Sequence, residues 1–357
     1  MTLSDIARYR FSNQLIAQQT ARTPADVVRW LGAMQAQDFL GAKWSVGLRA
    51  PGLSDATVEQ ALADRTIVRT WPMRGTLHFV AQADVRWMLA LLPPRVLSAS
   101  KGRWRALELN DKIFAQSRRV FRKVLHGGRQ LTRDEMYQAL ERSKIRTASQ
   151  RGYHLLWRNA QEGLICLGAP RGKQQTFVLL DEWVPPAKPL EREEALAKLV
   201  ARYFTSHGPA TIKDFVWWSG LTQKDARAGI EMSVAQLASG VVEGKTYWMA
   251  RRMPALHPPS PVVHLLPGFD EYILGYTERD PVLDPRHARK VYSGLNLLFN
   301  PTIVIDGQIQ GTWKRSIRKD RVDLRLNPFK RLSKAEAHAL QRAIQRYGEF
   351  LGLRAAS

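Results

Sequence analysis

The most constraining feature of this 357-residue sequence is a run of helices followed by a β-hairpin, which recurs between proline-rich breaks. The breaks lie at Pro93-Pro94, at Pro185-Pro186 and at residues 257–261. Proline clusters end regular structure because proline fixes φ and lacks a backbone donor. The sequence therefore predicts four regions, and they comprise residues 1–92, 93–186, 187–257 and 258–357.

The third region shows the recurring pattern most clearly. Apolar residues at helical spacing predict a helix near 191–206, and Thr211 and Thr222 each begin a capping-box sequence that predicts a further helix. The last of these helices is expected to continue to Gly240, and a hairpin is expected to turn at Glu243-Gly244-Lys245. Three helices followed by a hairpin are typical of a winged helix-turn-helix.

The second region repeats the plan, with helices expected near 114–126, from Thr132, and near 149–162. Its hairpin would carry Arg171-Gly172-Lys173 at the tip. The third helix is expected to bury Tyr153, Leu156, Trp157 and Ala160 and to present Gln150, Arg151, His154, Arg158 and Gln161 on its other side. A basic recognition helix and a basic wing tip suit DNA contact, while a solvated helix face and an ordinary polar turn are the alternative.

The first region fits this plan more loosely. A helix is predicted after Thr23, a second near 54–63, and a hairpin is predicted to turn at Met73-Arg74-Gly75-Thr76. The segment between residues 34 and 50 fits less simply. The region is nevertheless interpreted as a first winged helix.

The last region is predicted to be rich in β-structure. Strands are expected at Val262–Leu266, Thr302–Ile305 and Gln308–Trp313, with a hairpin turn at Asp306-Gly307. A segment dense in lysine and arginine follows, and an amphipathic helix near 333–351 closes the chain. The predicted fold class is α+β, with three tandem winged helix-turn-helix units and a C-terminal β-rich region.

The charge of the chain predicts a polyanionic partner. Lysine and arginine exceed aspartate and glutamate by 54 to 32, which gives a net charge of +22. Nucleic acid is the first candidate, and an arginine-rich genomic composition is the alternative. The single cysteine, Cys166, excludes an intrachain disulfide and a cysteine zinc site. Neither a signal peptide nor a membrane-spanning run is visible, so a cytoplasmic protein is expected.

The segment from Gln35 to Asp38 has the side chains best suited to chemistry. Gln35 and Gln37 would diverge on a helix but share a face on an extended segment, so a helix that ends near Gln35 would let both amides converge. Neutral amides can orient water and stabilise charge but are weak bases. Asp38 is the nearest alternative base, although a helix cap is its simpler role. Lys43 as a Schiff-base nucleophile and His78 as a catalytic group are weaker alternatives.

A metal-dependent nuclease is the other chemistry considered. Asp270-Glu271, with Asp280 and Asp284, supplies carboxylates, but adjacent residues on a strand point to opposite faces and the other two flank prolines in turns. Caps and structural contacts are the preferred interpretation. No metal and no cofactor are therefore predicted.

Six motifs are distributed over nearly the whole chain, namely Met34-Gln35-Ala36-Gln37-Asp38, Ala42 to Arg49, Trp71 to His78, Phe269-Asp270-Glu271-Tyr272, Leu274-Gly275-Tyr276 and Gly311-Thr312-Trp313-Lys314-Arg315. Together they resemble the bacterial winged-helix DNA glycosylases that unhook interstrand crosslinks. The resemblance implies three winged helices around a C-shaped, positively charged DNA channel. It also implies that Gln35 and Gln37 are catalytic, because the family signature is Gln, any residue, then Gln or Asp. The Gln–Gln form is similar to members associated with self-resistance to DNA-alkylating antibiotics.

The resulting hypothesis is a metal-independent, monofunctional DNA glycosylase acting on N7-alkylated purines, including bulky or crosslinked adducts. Gln37 would position the attacking water, and Gln35 would support it or stabilise the oxocarbenium-like sugar. The predicted DNA contacts are Lys43, Arg74, His78, Arg151, Arg158, Arg171, Lys173, Lys314 and Arg315. The expected partner is duplex DNA with alkylated purines, and the protein is expected to be a monomer. The alternative is a non-enzymatic winged-helix DNA-binding protein or transcription regulator.

Overall fold

A computed structural model describes residues 1–253, 261–293 and 298–357. The chain forms two compact units. Unit 1 comprises Met1–Val58, Leu196–Trp218 and Thr222–Ser357, and unit 2 comprises Glu59–Ala195 and Ser219–Leu221. The predicted break at residues 257–261 and the boundary at 257/258 fall in or beside residues 254–260, which lie outside the described residues.

The secondary structure mixes helices and strands, as the predicted α+β class requires. The helices are α1 Leu3–Asn13, α2 Pro24–Leu31, α3 Phe39–Gly47, α4 Asp55–Ala63, α5 Val85–Leu91, α6 Pro93–Ala99, α7 Lys101–Ala106, α8 Asp111–Leu125, α9 Arg133–Arg142, α10 Arg151–Gln161, α11 Leu180–Trp183, α12 Arg192–Ser206, α13 Ile212–Ser219, α14 Gln223–Ser233, α15 Glu271–Leu274, α16 Ala288–Val291 and α17 Lys334–Leu351. The strands are β1 Ala33–Gln35, β2 Ile67–Met73, β3 Thr76–Ala81, β4 Leu131–Thr132, β5 Ile165–Leu167, β6 Thr176–Leu179, β7 Leu237–Val242, β8 Lys245–Ala250, β9 Val263–Leu266, β10 Tyr292–Ser293, β11 Leu298–Phe299, β12 Thr302–Ile305, β13 Gln308–Ile317, β14 Arg321–Pro328 and β15 Arg354–Ala356.

Unit 1 contains a sheet with the order β15-β14-β13-β12-β9. The predicted turn at Asp306-Gly307 joins β12 to β13, and both residues have positive φ, 49° and 84°, as such a hairpin requires. The closing helix α17 packs against β9 and β15. Two strands were not predicted from the sequence, namely β14 in the basic segment and β15, which pairs with β14 in parallel.

Unit 1 also contains the helices and hairpin of the third predicted region. Capping boxes at Thr211 and Thr222 begin α13 and α14, as predicted. The expectation that the last helix continues to Gly240 is wrong, because α14 ends at Ser233. Gly240 instead lies in β7 and pairs with Tyr247 of β8.

Unit 2 has an apolar core between helices and a sheet in which β3, β2, β5, β6 and β4 lie side by side. The helices α8, α9 and α10 and the hairpin β5–β6 match the elements predicted for the second region. The predicted faces of α10 are partly wrong, because Arg151 and Gln161 are 7% and 1% exposed while Tyr153 is 40% exposed. Helix α10 packs against α8, β2 and β5, so more than one apolar stripe of its surface is covered.

Candidate active site and predicted DNA-contacting residues

The segment that carries Gln35 and Gln37 connects two helices of unit 1. Helix α2 ends at Leu31, and Gly32 follows with a φ of 84°. A side chain at Gly32 would lie 3.3 Å from Arg202 Cδ, so glycine suits both the backbone and the packing there. Both glutamines therefore lie beyond the helix, which is the condition that the sequence analysis set for their convergence.

The exposure of the residues in this segment alternates. Gln35, at the end of β1, is half-buried, Ala36 is fully buried and Gln37 is exposed. In extended backbone, neighbouring side chains point to opposite sides, so the pattern is consistent with both amides lying opposite Ala36. The Oε1 atom of Gln35 is buried and has no hydrogen-bond partner among the described residues. An amide oxygen in that state can accept a hydrogen bond from a bound molecule.

Asp38 is a helix cap that also pairs with a cation. Its Oδ1 accepts a hydrogen bond from the Gly41 backbone N–H at 3.1 Å, which caps α3 as predicted. Arg315 Nη2 lies 3.0 Å from Asp38 Oδ2 and 3.2 Å from Oδ1. Both contacts orient the carboxylate. Its position is therefore accounted for without a catalytic role.

Helix α3 is fixed to the C-terminal part of unit 1 by a buried ion pair. Arg49, just after the helix, donates to both oxygens of Asp270 at 2.8 and 2.7 Å, and Ser45 Oγ donates to the same carboxylate at 2.6 Å. Arg49 and Asp270 are 0% and 1% exposed. Bidentate pairing with an added hydroxyl donor satisfies charges that would be costly to bury alone.

The neighbouring carboxylate, Glu271, contacts the candidate catalytic segment directly. Its Oε1 accepts a hydrogen bond from the backbone N–H of Gln35 at 3.0 Å. Its Oε2 accepts one from Trp218 Nε1 at 2.9 Å and lies 3.6 Å from His207 Nε2. Burial lowers the pKa of His207, although the nearby Glu271 opposes this shift, so the imidazole favours its neutral form.

Asp270 and Glu271 thus have the structural roles that were preferred over metal binding. The assumption that they lie on a strand is wrong, because Asp270 caps α15 by accepting from the Tyr272 N–H at 2.9 Å and Glu271 begins that helix. Asp284 caps a short turn through the Arg286 N–H. Within the described residues, no group of three or more histidine, cysteine or acidic side chains could hold a metal ion.

Glu271, Ser45 and Arg49 were not recognised as site residues from the sequence. They stand 10 to more than 200 positions from Gln35, and no local periodicity connects them to it. The sequence did contain one signal for Glu271, namely the Phe269-Asp270-Glu271-Tyr272 motif. It was noted for its resemblance to a family, but its contact with the glutamine segment could be recognised only in the structure.

Lys43, one of the predicted DNA contacts, is buried. Its ammonium lies 2.7 Å from Asp55 Oδ2, and the residue is 4% exposed. It also lies 4.9 Å from the centre of the Phe39 ring. This placement on α3 gives Lys43 a structural ion pair. Its predicted contact with DNA remains a prediction.

Arg74 and His78 lie on the first hairpin of unit 2. Arg74 occupies the turn, with a φ of 52°, and its Nη2 is 3.4 Å from His78 Nε2. His78 is buried in β3, and its Nδ1 is 2.9 Å from the Thr76 carbonyl oxygen. The structural role preferred for this histidine agrees with that geometry.

The two arginines predicted on α10 already have protein partners. Arg151 donates to the carbonyl oxygens of Arg146 and Leu107 and is buried. Arg158 donates to Asp111 at 2.9 Å and to Glu162 at 2.7 Å. These contacts hold α10 within unit 2. DNA contact by either arginine remains a prediction.

The tip of the β5–β6 hairpin in unit 2 and the long strand β13 in unit 1 carry the exposed cations of the predicted set. Arg171 and Lys173 are exposed at the turn between β5 and β6, and Lys314 is exposed on β13. Arg171 also pairs with Glu135 at 3.0 Å. Arg315 is half-buried beside Asp38. Exposed cations at a hairpin tip are suited to phosphate contact.

Cys166 lies in the interior of unit 2. Cys166 is fully buried, and its burial raises the pKa of the thiol, which agrees with an inert core residue.

Within the described part of the chain, none of the helices combines the length and the apolar character that crossing a bilayer requires.

Comparison with known proteins places these features in a family. Residues 28–350 match the family described as "DNA glycosylase AlkZ-like". This chain belongs to that family and is a DNA glycosylase.

Two comparisons with individual proteins cover most of the chain. A protein of Streptomyces sahachiroi named "Interstrand DNA cross-link repair glycosylase" is 28% identical over an alignment of 329 positions, which covers 86% of this chain and 86% of the relative. The solved structure of "Streptomyces sahachiroi DNA glycosylase AlkZ" has a TM-score of 0.83 and 25% identity and covers 99% of this chain and 98% of the other. The predicted family resemblance is therefore confirmed.

Proposed function

We propose that this glycosylase hydrolyses the N-glycosidic bond of N7-alkylated purines in duplex DNA, including bulky and interstrand-crosslinked adducts. Membership in the AlkZ-like family supports base excision, and the name of the Streptomyces sahachiroi relative, an interstrand DNA cross-link repair glycosylase, supports crosslinked DNA as the substrate. The observation that carries the proposal is the chemical character of the Gln35–Asp38 segment. It presents two neutral amides, while its carboxylate is occupied by a helix N-terminus and Arg315.

Neutral amides suffice only when the leaving base already carries a positive charge. Alkylation at N7 makes the purine cationic, so the electrons of the C1′–N9 bond neutralise the base as the bond breaks. The sugar passes through an oxocarbenium-like transition state, and water adds at C1′ and releases its proton to solvent. No general acid is needed for departure. This fits a site in which two glutamines, rather than a glutamate or a histidine, are the prominent groups.

The two glutamines are given different roles. Gln37 is exposed and would hold the attacking water through its amide oxygen. Gln35 is half-buried, and its unpartnered Oε1 would support the same water or the developing positive charge on the sugar. Buried Ala36 would set the separation between them. A crosslinked base is difficult to flip out of the helix, so an open binding surface would suit it better than a deep pocket.

The proposal extends to the wider architecture of the chain. The helices and hairpins of residues 1–92, 93–186 and 187–257 would act as three winged helices, with a β-rich region from 258 to 357. Together they would form a C-shaped basic channel for DNA, and the protein would act as a monomer. Of the nine predicted DNA contacts, the exposed Arg171, Lys173 and Lys314 best suit phosphate binding. The non-enzymatic regulator is set aside because the chain belongs to an enzyme family.

The test is excision from a duplex that carries a single N7-methylguanine, in buffer with EDTA. Abasic sites are converted to strand breaks with alkali and counted. The double variant Gln35→Ala, Gln37→Ala should lose excision by about a hundredfold or more and retain its affinity for DNA. The control is Asp38→Asn, which can still accept from the Gly41 N–H but has no charge to act as a base. It should retain excision within about tenfold.

Three outcomes would contradict the proposal. Undiminished excision by the double glutamine variant would remove the amides from the mechanism. A complete loss in Asp38→Asn together with activity in the double variant would move the chemistry to Asp38. Excision that requires an added divalent metal would contradict the metal-independent chemistry.

A further inference from the structure

Glu271 is a buried carboxylate for which the proposed reaction has no direct use. It is 1% exposed, and its two oxygens bind the Gln35 N–H and the Trp218 indole N–H at 3.0 and 2.9 Å. Burying a carboxylate is costly, so the contacts it makes call for an explanation beyond simple packing. It does not cap its own helix, because Asp270 performs that role.

The contact to Gln35 is to the backbone rather than to the amide side chain. Gln35 Oε1 has no hydrogen-bond partner among the described residues, so no protein group there holds the amide oxygen in place. The backbone N–H of Gln35 is held by Glu271. The position from which the Gln35 side chain extends is therefore set by this carboxylate.

The other end of the segment is held separately. Asp38 is fixed by the Gly41 N–H and by Arg315, and α3 is fixed through Arg49 and Asp270. Glu271 thus supplies the anchor at the first glutamine, and its neighbour Asp270 anchors the helix that follows the second. Adjacent carboxylates at the start of α15 hold both sides of one short segment.

The surroundings of Glu271 are rigid and maintain its orientation. Trp218 is fully buried, and His207 stacks on Tyr203 with ring centres 4.7 Å apart. Ser206 Oγ lies 2.8 Å from His207 Nδ1, which fixes the imidazole ring. Because its pKa is lowered by burial, His207 favours the neutral form beside the carboxylate. The carboxylate of Glu271 accepts hydrogen bonds from the Gln35 and Trp218 N–H groups in these surroundings.

We propose that Glu271 is a positioning residue for base excision. It fixes the Gln35 backbone so that the side-chain amides of Gln35 and Gln37 contact the same water. This inference rests on the proposed function of the two glutamines. A displacement of about 1 Å in a reacting group can cost on the order of a hundredfold in rate. Loss of the anchor should therefore slow the chemical step without weakening the binding of DNA.

The first test compares Glu271→Gln with Asp214→Asn. In Glu271→Gln, one oxygen remains to accept from the two N–H donors, so the anchor is weakened at constant size. Asp214 is a matched control because it is also a buried carboxylate of unit 1. It accepts hydrogen bonds from the Thr277 and Glu278 backbone N–H groups at 2.7 and 2.8 Å. It has no hydrogen bond to residues 35–38. Single-turnover excision of N7-methylguanine, affinity for undamaged duplex and Tm are measured for each.

The expected result separates rate from stability. Glu271→Gln should slow single-turnover excision by about tenfold to a hundredfold with DNA affinity unchanged. Asp214→Asn should lower Tm and retain the wild-type rate at a temperature well below its Tm. An unchanged rate in folded Glu271→Gln would overturn the proposal, and so would an equal loss of rate in the two variants. If Glu271→Gln does not fold, Glu271→Asp is judged by the same rate comparison.

A second measurement asks whether Glu271 acts through Gln35. The Glu271→Gln change is introduced into Gln35→Asn, whose amide is one methylene shorter and is expected to retain measurable activity. If Glu271 only positions Gln35, the two losses should be strongly non-additive, with less than about a threefold further loss. Fully multiplicative losses would contradict the proposal. Undiminished excision by the Gln35→Ala, Gln37→Ala variant would instead refute the proposed function. Failure of the positioning role and failure of the proposed function are therefore distinguishable.

Discussion

Both units bury many apolar side chains, but unit 1 also buries paired carboxylates beside the glutamine segment. Around the glutamine segment of unit 1, buried carboxylates make specific contacts, such as Asp270 with Arg49 and Glu271 with the Gln35 backbone N–H. The core of unit 2 is a cluster of aliphatic and aromatic side chains that includes Leu155. Apolar packing stabilises without strong directional preference, whereas hydrogen-bonded charges fix the position of particular backbone atoms. The comparison suggests that unit 1 uses its buried charges to hold a site in place.

The largest expected effect comes from breaking a buried charge pair. Asp270→Ala leaves the Arg49 guanidinium buried without its carboxylate and should lower the free energy of unfolding by about 3–5 kcal/mol. Excision per folded molecule should also fall, because α3, which begins two residues after Gln37, loses its anchor to Asp270. Denaturant unfolding and active-site titration measure the two effects.

A change of similar size in unit 2 sharpens the contrast. Leu155→Ala removes a fully buried side chain of α10 and should cost about 2–5 kcal/mol of unfolding free energy. Excision per folded molecule should be unchanged at low temperature, since no polar anchor is lost. If this variant and Asp270→Ala lost activity to the same degree, the distinction between the two interiors would fail.

Local sequence signals predicted the elements of both interiors but not their contacts. The Thr222–Asp225 capping box and the Asp306-Gly307 turn were predicted because a few neighbouring residues determine each. The sequence left a helix and an extended segment as alternatives at Gln35, and the structure has the extended one. These features depend on propensities that act within about four residues.

The features that were missed depend on long-range contacts. The bond from the Gln35 N–H to Glu271 spans 236 positions, and no periodicity encodes it. The burial of Arg151 follows from carbonyl groups supplied by neighbouring segments. Lys43 was expected to reach phosphate or solvent, but its partner, Asp55, stands on the next helix. Polar residues in an interior can be assigned only when their partners are known.

A smaller effect is expected at the exposed tip of the β5–β6 hairpin in unit 2, where charge should serve binding rather than stability. Arg171→Ala with Lys173→Ala should weaken affinity for duplex DNA and reduce the slope of log affinity against log salt by about 2. The single-turnover rate at saturating enzyme and the Tm should be nearly unchanged. An unaltered salt slope would mean that this hairpin tip does not contact phosphate.

The smallest expected effect is a pH dependence of stability that originates in unit 1. Burial lowers the pKa of His207, so below about pH 6.5 the unfolded chain binds a proton that the folded chain excludes. Stability contributed by the neutral histidine is therefore present above that pH and is lost on acidification, by at most about 1.4 kcal/mol per pH unit. His207→Phe, which retains a ring to stack on Tyr203, should lose less Tm between pH 7.5 and 5.5. An equal loss in both proteins would contradict this assignment.

The most direct measurement compares two lesions that differ in charge rather than in shape. One duplex carries N7-methylguanine, and the other carries 7-methyl-7-deazaguanine, in which carbon replaces the charged nitrogen. If two neutral amides and a water are sufficient only for a cationic leaving base, release of the first base should exceed release of the second by about a hundredfold or more. Comparable release of both bases would show that the enzyme supplies a proton, and the assignment of Gln35 and Gln37 as the whole catalytic apparatus would then be wrong.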